Sequence, residues 1–251
     1  MSKLTLKFGG SALNNPENIN RVCQIILKKA LNNDCYVVVS ALKGSTEKLI
    51  GICNSAKTSA QQANTQLLEL IAEHQLLANK ILSASKALAW QQEVAVYIDA
   101  CQKRLVNRKQ TDADIASILS LGEKLSAALI SQAIQQAGKN CNWLCSESLI
   151  KTTGSYLNSC VNNFATAQCF ADLNKDYPRL KITIITGFSA SNQKGQTTLL
   201  GRNASDYSAA IVAKFTGSES VELFGDTAGI LSADPDYVPG ANTITKLSIS
   251  D

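Results

Sequence analysis

Apolar positions in this chain repeat with two different periods, and the switches between them outline the architecture. Residues 4–9 read as a first strand, closed by Gly9-Gly10-Ser11. Asn15 can then cap a helix, Pro16 fits its first position and Glu17 suits the positive end of the helix dipole. Ile19, Val22, Cys23, Ile26 and Ala30 recur at helical spacing until Asn32-Asn33-Asp34 ends the run. Tyr36-Val37-Val38-Val39 is continuous rather than alternating, as expected of a parallel strand covered on both faces. A polar loop over 40–46 follows it.

From about 46 to 136 the pattern is almost wholly helical, an insertion packed beside the sheet. Leu67, Leu70, Ile71, Leu77 and Ile81 share one helix, with His74 on its polar face; Val94, Ile98, Cys101 and Leu105 share another. Thr111-Asp112-Ala113-Asp114 opens a third that carries Ile115, Ile118, Leu119, Leu125, Leu129 and Ile130. Strands return at 142–144 and at 181–186, with a helix near 162–174 between them. A hairpin loop at 191–195, a helix over 205–215 and a strand at 220–224 complete the order. This alternation predicts an α/β fold with a mostly parallel central sheet and helices on both faces. Ligands in such sheets gather where strands end at their C-termini, which groups 9–11, 40–46, Gly187 and 225–227.

Composition narrows the function. The chain has 251 residues, 45% hydrophobic and 18% charged, enough for a substantial core. A net charge of +4 with both signs interspersed leaves no electrostatic footprint for nucleic acid. No apolar signal core or membrane span is apparent, so a cytoplasmic protein is the expectation. The eight cysteines include no Cys-x-x-Cys pair and the one histidine is His74, which argues against the usual zinc patterns. The cysteines within apolar patterns read as reduced core thiols.

Four stretches could carry chemistry. Lys7-Phe8-Gly9-Gly10-Ser11 sets a cation before a glycine turn whose N–H groups can approach an anion, or it is a plain tight turn. Gly122-Glu123 interrupts an apolar helix, where glycine costs about 1 kcal/mol against alanine; a close approach or a kink would account for it. Gly201-Arg202-Asn203-Ala204-Ser205-Asp206 follows a short strand and enters a helix, with Ser205 as candidate N-cap and Asp206 in the first turn. Arg202 and Asp206 together suit a zwitterionic ligand such as an amino acid, or form a surface ion pair on a capped helix. Asp226 ends a strand and either faces a ligand or caps the next turn.

Taken jointly with Asp226-x-x-Gly229-x-x-Ser232-x-Asp234-Pro235, these motifs resemble the aspartokinase branch of the amino-acid kinase family, over essentially the whole chain. The kinase domains of bifunctional aspartokinase–homoserine dehydrogenases are the nearest in pattern. The resemblance implies a three-layer αβα sandwich, a single kinase domain over 1–251 that stops before the last part of a usual one, and no regulatory or dehydrogenase module. It implies transfer of the ATP γ-phosphoryl group to the side chain of L-aspartate, with Mg²⁺, giving 4-phospho-L-aspartate on the route to lysine, threonine and methionine. A homo-oligomer is the expected assembly.

The implied roles are specific. Lys7 meets the transferred phosphoryl group, cradled by Gly9, Gly10 and Ser11. Thr46, Glu123, Arg202 and Ser205 line the aspartate pocket, Glu123 on the ammonium and Arg202 on the α-carboxylate. Asp206 orders Lys7 and the substrate, while Gly225 and Asp226 sit at the nucleotide. The chain departs from the family pattern at Asn203 and Ala204, where glycine is usual, at Leu231 for tyrosine, and at Asp236 for arginine. Those departures keep two alternatives open: a kinase-fold remnant that binds without catalysis, and a sister kinase acting on another acceptor.

Overall fold

The computed structural model describes residues 2–176, 180–201, 204–225, 229–234 and 237–248, with the backbone alone for 174–176. Strand β1 (Ser2–Phe8) leads through a 3-10 turn (Gly10–Leu13) to α1 (Pro16–Lys29) and β2 (Asn33–Val39). Five helices follow: α2 (Ser45–Ala56), α3 (Ala60–Ile81), α4 (Ala84–Leu105), α5 (Asp112–Leu119) and α6 (Leu121–Gln136). Then come β3 (Asn142–Leu144), the short α7 (Ser146–Leu149), β4 (Lys151–Gly154), β5 (Ser159–Val161) and α8 (Asn163–Asp176). The described elements end with β6 (Ile182–Thr186), β7 (Ser189–Asn192), β8 (Thr197–Leu199), α9 (Ala204–Thr216) and β9 (Ser220–Phe224).

The main sheet has the order β3-β6-β2-β1-β9, and every neighbouring pair in it is parallel. Parallel neighbours require crossovers, and those crossovers are the helices that cover the two faces. The register shows why the apolar run at 37–39 is continuous. Val37 pairs with Ile184 and both join the core beneath α1 to α6, whereas Val38 pairs with Ile185 and both join the core beneath α8 and α9. Alternate residues of a strand point to opposite faces, so a strand buried on both sides must be apolar at every position. The result is the expected three-layer αβα sandwich.

Helix α1 starts as its sequence dictates: the Asn15 side chain accepts the Asn18 N–H at 2.8 Å, and Pro16 opens the helix. Thr111 and Asp114 form a reciprocal capping box at α5. Among the described residues no helix is long and apolar enough to cross a membrane.

Three expectations need correction. The single helix read from 111 onward is two, α5 and α6, with Ser120 as the C-cap of one and N-cap of the next. Ser120 Oγ is committed to the Ser117 carbonyl at 2.9 Å, so the break is locally satisfied. His74 is not on a polar face but 1% exposed, because α3 packs against both α2 and α4 and its buried stripe runs 67, 70, 74, 77. Its Nδ1–H donates to the Leu70 carbonyl at 2.8 Å, and burial lowers its basicity. The pattern also omits a second sheet, β5-β4-β7-β8, of which only the β7–β8 hairpin was expected.

Candidate active site

The C-terminal ends of the central strands are tied together by main-chain bonds. Gly9 N–H donates to the Phe224 carbonyl at 3.0 Å, Ser40 N–H to Phe8 at 3.1 Å and Gly187 N–H to Val39 at 2.9 Å. These bonds bring the ends of β1, β2, β6 and β9 to one rim, the grouping expected from the strand-end rule. Gly10 approaches the loop after β2 so closely that a Cβ there would lie 2.7 Å from the Ala41 carbonyl oxygen.

Lys7, on β1, points its ammonium at this rim. Its Nζ lies 2.7 Å from Asp206 Oδ1 in the first turn of α9. Lys7 is mostly buried and Asp206 half exposed, so the cation is held from behind while the carboxylate keeps an open side. Ser205 precedes Asp206 and packs on β6: a Cβ on Gly187 would sit 2.7 Å from its Oγ. Helix α9 begins at Ala204, so Ser205 lies within the first turn rather than capping it, a correction to the sequence reading. Arg202 and Asp226 lie outside the described residues, as do Asn203 and Asp236. Gly225 follows β9 and is exposed, Ser11 sits in the 3-10 turn, and Thr46 stands in the first turn of α2 on the loop after β2. Leu231 is in an isolated antiparallel bridge with Thr243.

Glu123 supplies the opposite charge. It lies in the first turn of α6, a helix buried at every residue from Leu121 to Ile134, and it is 3% exposed. Oε1 accepts the Ala41 N–H at 3.2 Å, and Oε2 is buried with no hydrogen-bond partner among the described residues. Burial raises its pKa to about 7, with the main-chain N–H bonds opposing that rise. A buried carboxylate with one free oxygen is costly unless a donor arrives, so this atom marks a place for an ammonium or N–H group.

Gly122 explains how Glu123 reaches the rim. A Cβ at this position would lie 2.7 Å from the Ala41 Cβ, so the close approach, combined with the break at Ser120, accounts for glycine here. Gly122→Ala is therefore expected to lower the melting temperature, even though alanine gains about 1 kcal/mol of helix propensity. Thermal unfolding measures it; a stabilised variant would mean that the loop after β2 yields freely.

The thiols stand aside from this chemistry. Cys23 and Cys101 are pushed up to about 12 and Cys53 to about 11, chiefly by burial, and they stay protonated as core residues. Sequence reasoning did not find Ala41 as the anchor of Glu123, nor the buried ion pair of Lys124 with Glu147 beside it.

The arrangement brings together a lysine held by a carboxylate, a glycine-bearing rim and a buried carboxylate, charges of both signs that can receive an anion and a cation. The chain as a whole is similar to known proteins. The aspartokinase of Chlamydia pneumoniae is 32% identical over the whole chain, which spans 53% of that protein. The bifunctional aspartokinase/homoserine dehydrogenase of Haemophilus influenzae is 30% identical over 97% of the chain, which spans 30% of it. E. coli aspartokinase III, solved with aspartate and ADP, superposes on 96% of the chain with a TM-score of 0.85 at 24% identity, over 53% of its own length. Residues 3–251 match the model of the amino acid kinase family, and the chain belongs to that family.

Proposed function

We infer that this chain is the kinase domain of an aspartokinase, moving the γ-phosphoryl group of ATP to the side-chain carboxylate of L-aspartate. The observation that carries the reading is the convergence at one rim of the Lys7–Asp206 ion pair with the buried, half-satisfied carboxylate of Glu123. The aspartate and ADP bound to the E. coli neighbour and the names of the two relatives support the choice of acceptor.

The chemistry asks little of the protein beyond placement and charge. An aspartate side chain is already ionised near neutral pH, with a reference pKa of about 3.9, so no base has to activate it. Lys7 offsets the charge that builds on the transferred phosphoryl group, and Asp206 keeps that ammonium on the rim. Backbone N–H groups of Gly10 and Ser11 border the phosphate chain; Gly9, whose N–H is held by the Phe224 carbonyl, lets that chain come close, and Gly225 and Asp226 border the nucleotide. Glu123 takes the substrate ammonium, Arg202 its α-carboxylate in a two-point contact, with Thr46 and Ser205 beside them.

Among the described residues no cluster of three or more His, Cys, Asp or Glu side chains could cage an ion. Mg²⁺ needs no such cage, since it keeps its waters and binds one or two carboxylates plus substrate phosphates. Asp206 is a carboxylate of the rim able to face it. The ion, when bound, supplies positive charge to the phosphates.

The test is incubation with aspartate, Mg-ATP and hydroxylamine, with hydroxamate as the readout. Turnover supports the reading; Mg-ATP binding without hydroxamate at high protein concentration rejects it in favour of a binding remnant. Arg202→Lys is expected to raise the aspartate KM by about tenfold or more with kcat largely kept, since lysine cannot reproduce the bidentate fork. An unchanged KM would remove Arg202 from the pocket.

A further inference from the structure

Behind Glu123 lies a second pair of charges that the proposed chemistry does not use. Lys124, the next residue of α6, is 7% exposed, and its Nζ is 2.7 Å from Glu147 Oε1 on α7. The same ammonium donates to Ser120 Oγ at 2.8 Å, at the break between α5 and α6, and lies 5.2 Å from the centre of the Tyr97 ring. Glu147 is anchored in turn: its main-chain carbonyl accepts Lys151 Nζ at 2.8 Å and Ser191 Oγ at 2.6 Å, both from the second sheet. A buried ion pair usually contributes less stability than well-packed apolar side chains of equal volume. Its position is more telling: it clamps the helix break from which Gly122 and Glu123 reach Ala41.

We propose that Lys124 and Glu147 form a buried positioning pair for Glu123, seating the first turn of α6 and setting the charge that its carboxylate feels. The inference rests on the assignment of Glu123 to the acceptor pocket. Among the described residues the charges that act on the Glu123 carboxylate are those of Glu147 and Lys124. Lys124 favours its ionised form and Glu147 opposes it. On α4, Glu93 is taken up by Trp143 Nε1 and Gln132 Nε2, and Tyr97 stays neutral because burial raises its phenol. Cys145, before α7, is pushed up to about 11. On the remaining helices packed against α6, the Cys23 thiol of α1 is held up at about 12. Lys48 of α2 pairs with Glu73 of α3, Asp114 of α5 pairs with Arg104, and burial keeps His74 neutral.

The two partners therefore act on Glu123 with opposite sign, and a structural brace would not. The experiment titrates Glu123 in the ligand-free protein by NMR of ¹³C-labelled glutamate carboxyls, with its signal identified by its loss in Glu123→Gln. Glu147→Gln, which leaves the Lys124 charge alone, is expected to lower the Glu123 midpoint by roughly one pH unit. Lys124→Met is expected to move it upward. The double variant Lys124→Met/Glu147→Leu, with apolar side chains on both sides, is expected to stay folded and return the midpoint towards wild type. It should also raise the aspartate KM several-fold with kcat little changed, because the seat is looser.

Midpoints that do not move, or that move together in folded single variants, overturn the proposal. Should Lys124→Met not fold, the isosteric Glu147→Gln decides alone, since a pure brace gives no fall in midpoint. The titration is read without substrate. Failure of aspartate to bind the wild-type protein thus rejects the acceptor assignment, while an unmoved midpoint rejects only the pair.

Discussion

Replacing Lys7 by alanine is expected to cut phosphoryl transfer on the order of a thousandfold while the protein stays folded. The side chain lies on the central strand β1, and its ammonium is the described cation fixed at the rim by a carboxylate, 2.7 Å from Asp206 Oδ1. Charge on the transferred phosphoryl group spreads over its oxygens during transfer, so a preorganised cation is worth more there than in the ground state. The loss should therefore fall on kcat, with the aspartate KM nearly unchanged. Stability should hardly respond, because the partner carboxylate is 53% exposed and water replaces the lost ammonium. Lys7→Arg should not rescue the rate. A Cβ at Gly9 would come within 3.3 Å of the Lys7 ammonium, a space fitted to a compact point charge rather than a planar fork. Hydroxamate formation and thermal unfolding on the two variants measure both halves; activity above a tenth of wild type in Lys7→Ala would remove this lysine from the chemistry.

What could be read in advance follows from the range of the forces involved. The Asn15 cap, the Pro16 start and the Thr111 opening are local, so a few residues specify them. The uninterrupted β-branched run at 37–39, bounded by polar segments, points to its own environment, because a strand buried on both faces has no polar face to show. From those two kinds of signal the strand-end rule located the rim that joins Gly9, Ser40, Gly187 and Phe224. Other features arise from contacts between distant segments and leave weaker traces. Strands β4 and β5 are three to four residues long and read Lys-Thr-Thr-Gly and Ser-Cys-Val, with no alternation to detect. They exist because β7 pairs with β4 across about forty residues of chain. The break at Ser120 looked like continuous helix because apolar positions run through it, and the approach of Gly122 to Ala41 beside it is made to a segment far away in sequence. His74 shows the opposite error, a polar residue assigned by type to the surface although Leu67, Leu70 and Leu77 placed it on the buried stripe. The pair of Lys124 with Glu147 had no sequence signal, since its partners are 23 positions apart on separate elements.

Glu123→Gln should separate stability from function, and pH gives the sign of each. In the folded, ligand-free protein the carboxyl is raised to about 7 by burial, against an ordinary value of 4.5. Between those values the folded protein holds a proton that the unfolded chain has released, so stability falls as pH rises through this window and the penalty is complete above 7. The gap corresponds to about 3 kcal/mol. Glutamine keeps an oxygen for the Ala41 N–H and carries no charge to desolvate, so the variant should melt several degrees above wild type at pH 8. That advantage should vanish near pH 4.5. Binding runs the other way. An ionised Glu123 is needed to hold the substrate ammonium, so kcat/KM for aspartate in the wild type should rise with pH and reach half its plateau near 7. Glutamine should flatten that rise and lower the plateau roughly 10- to 100-fold, the cost of losing a charge-assisted bond. Melting curves and aspartate kinetics across pH 5 to 8.5 (about this range brackets the group) measure the two trends together. A variant less stable than wild type at pH 8 would place a compensating cation against Glu123, and a pH rise that survives in the variant would assign the titration to another group.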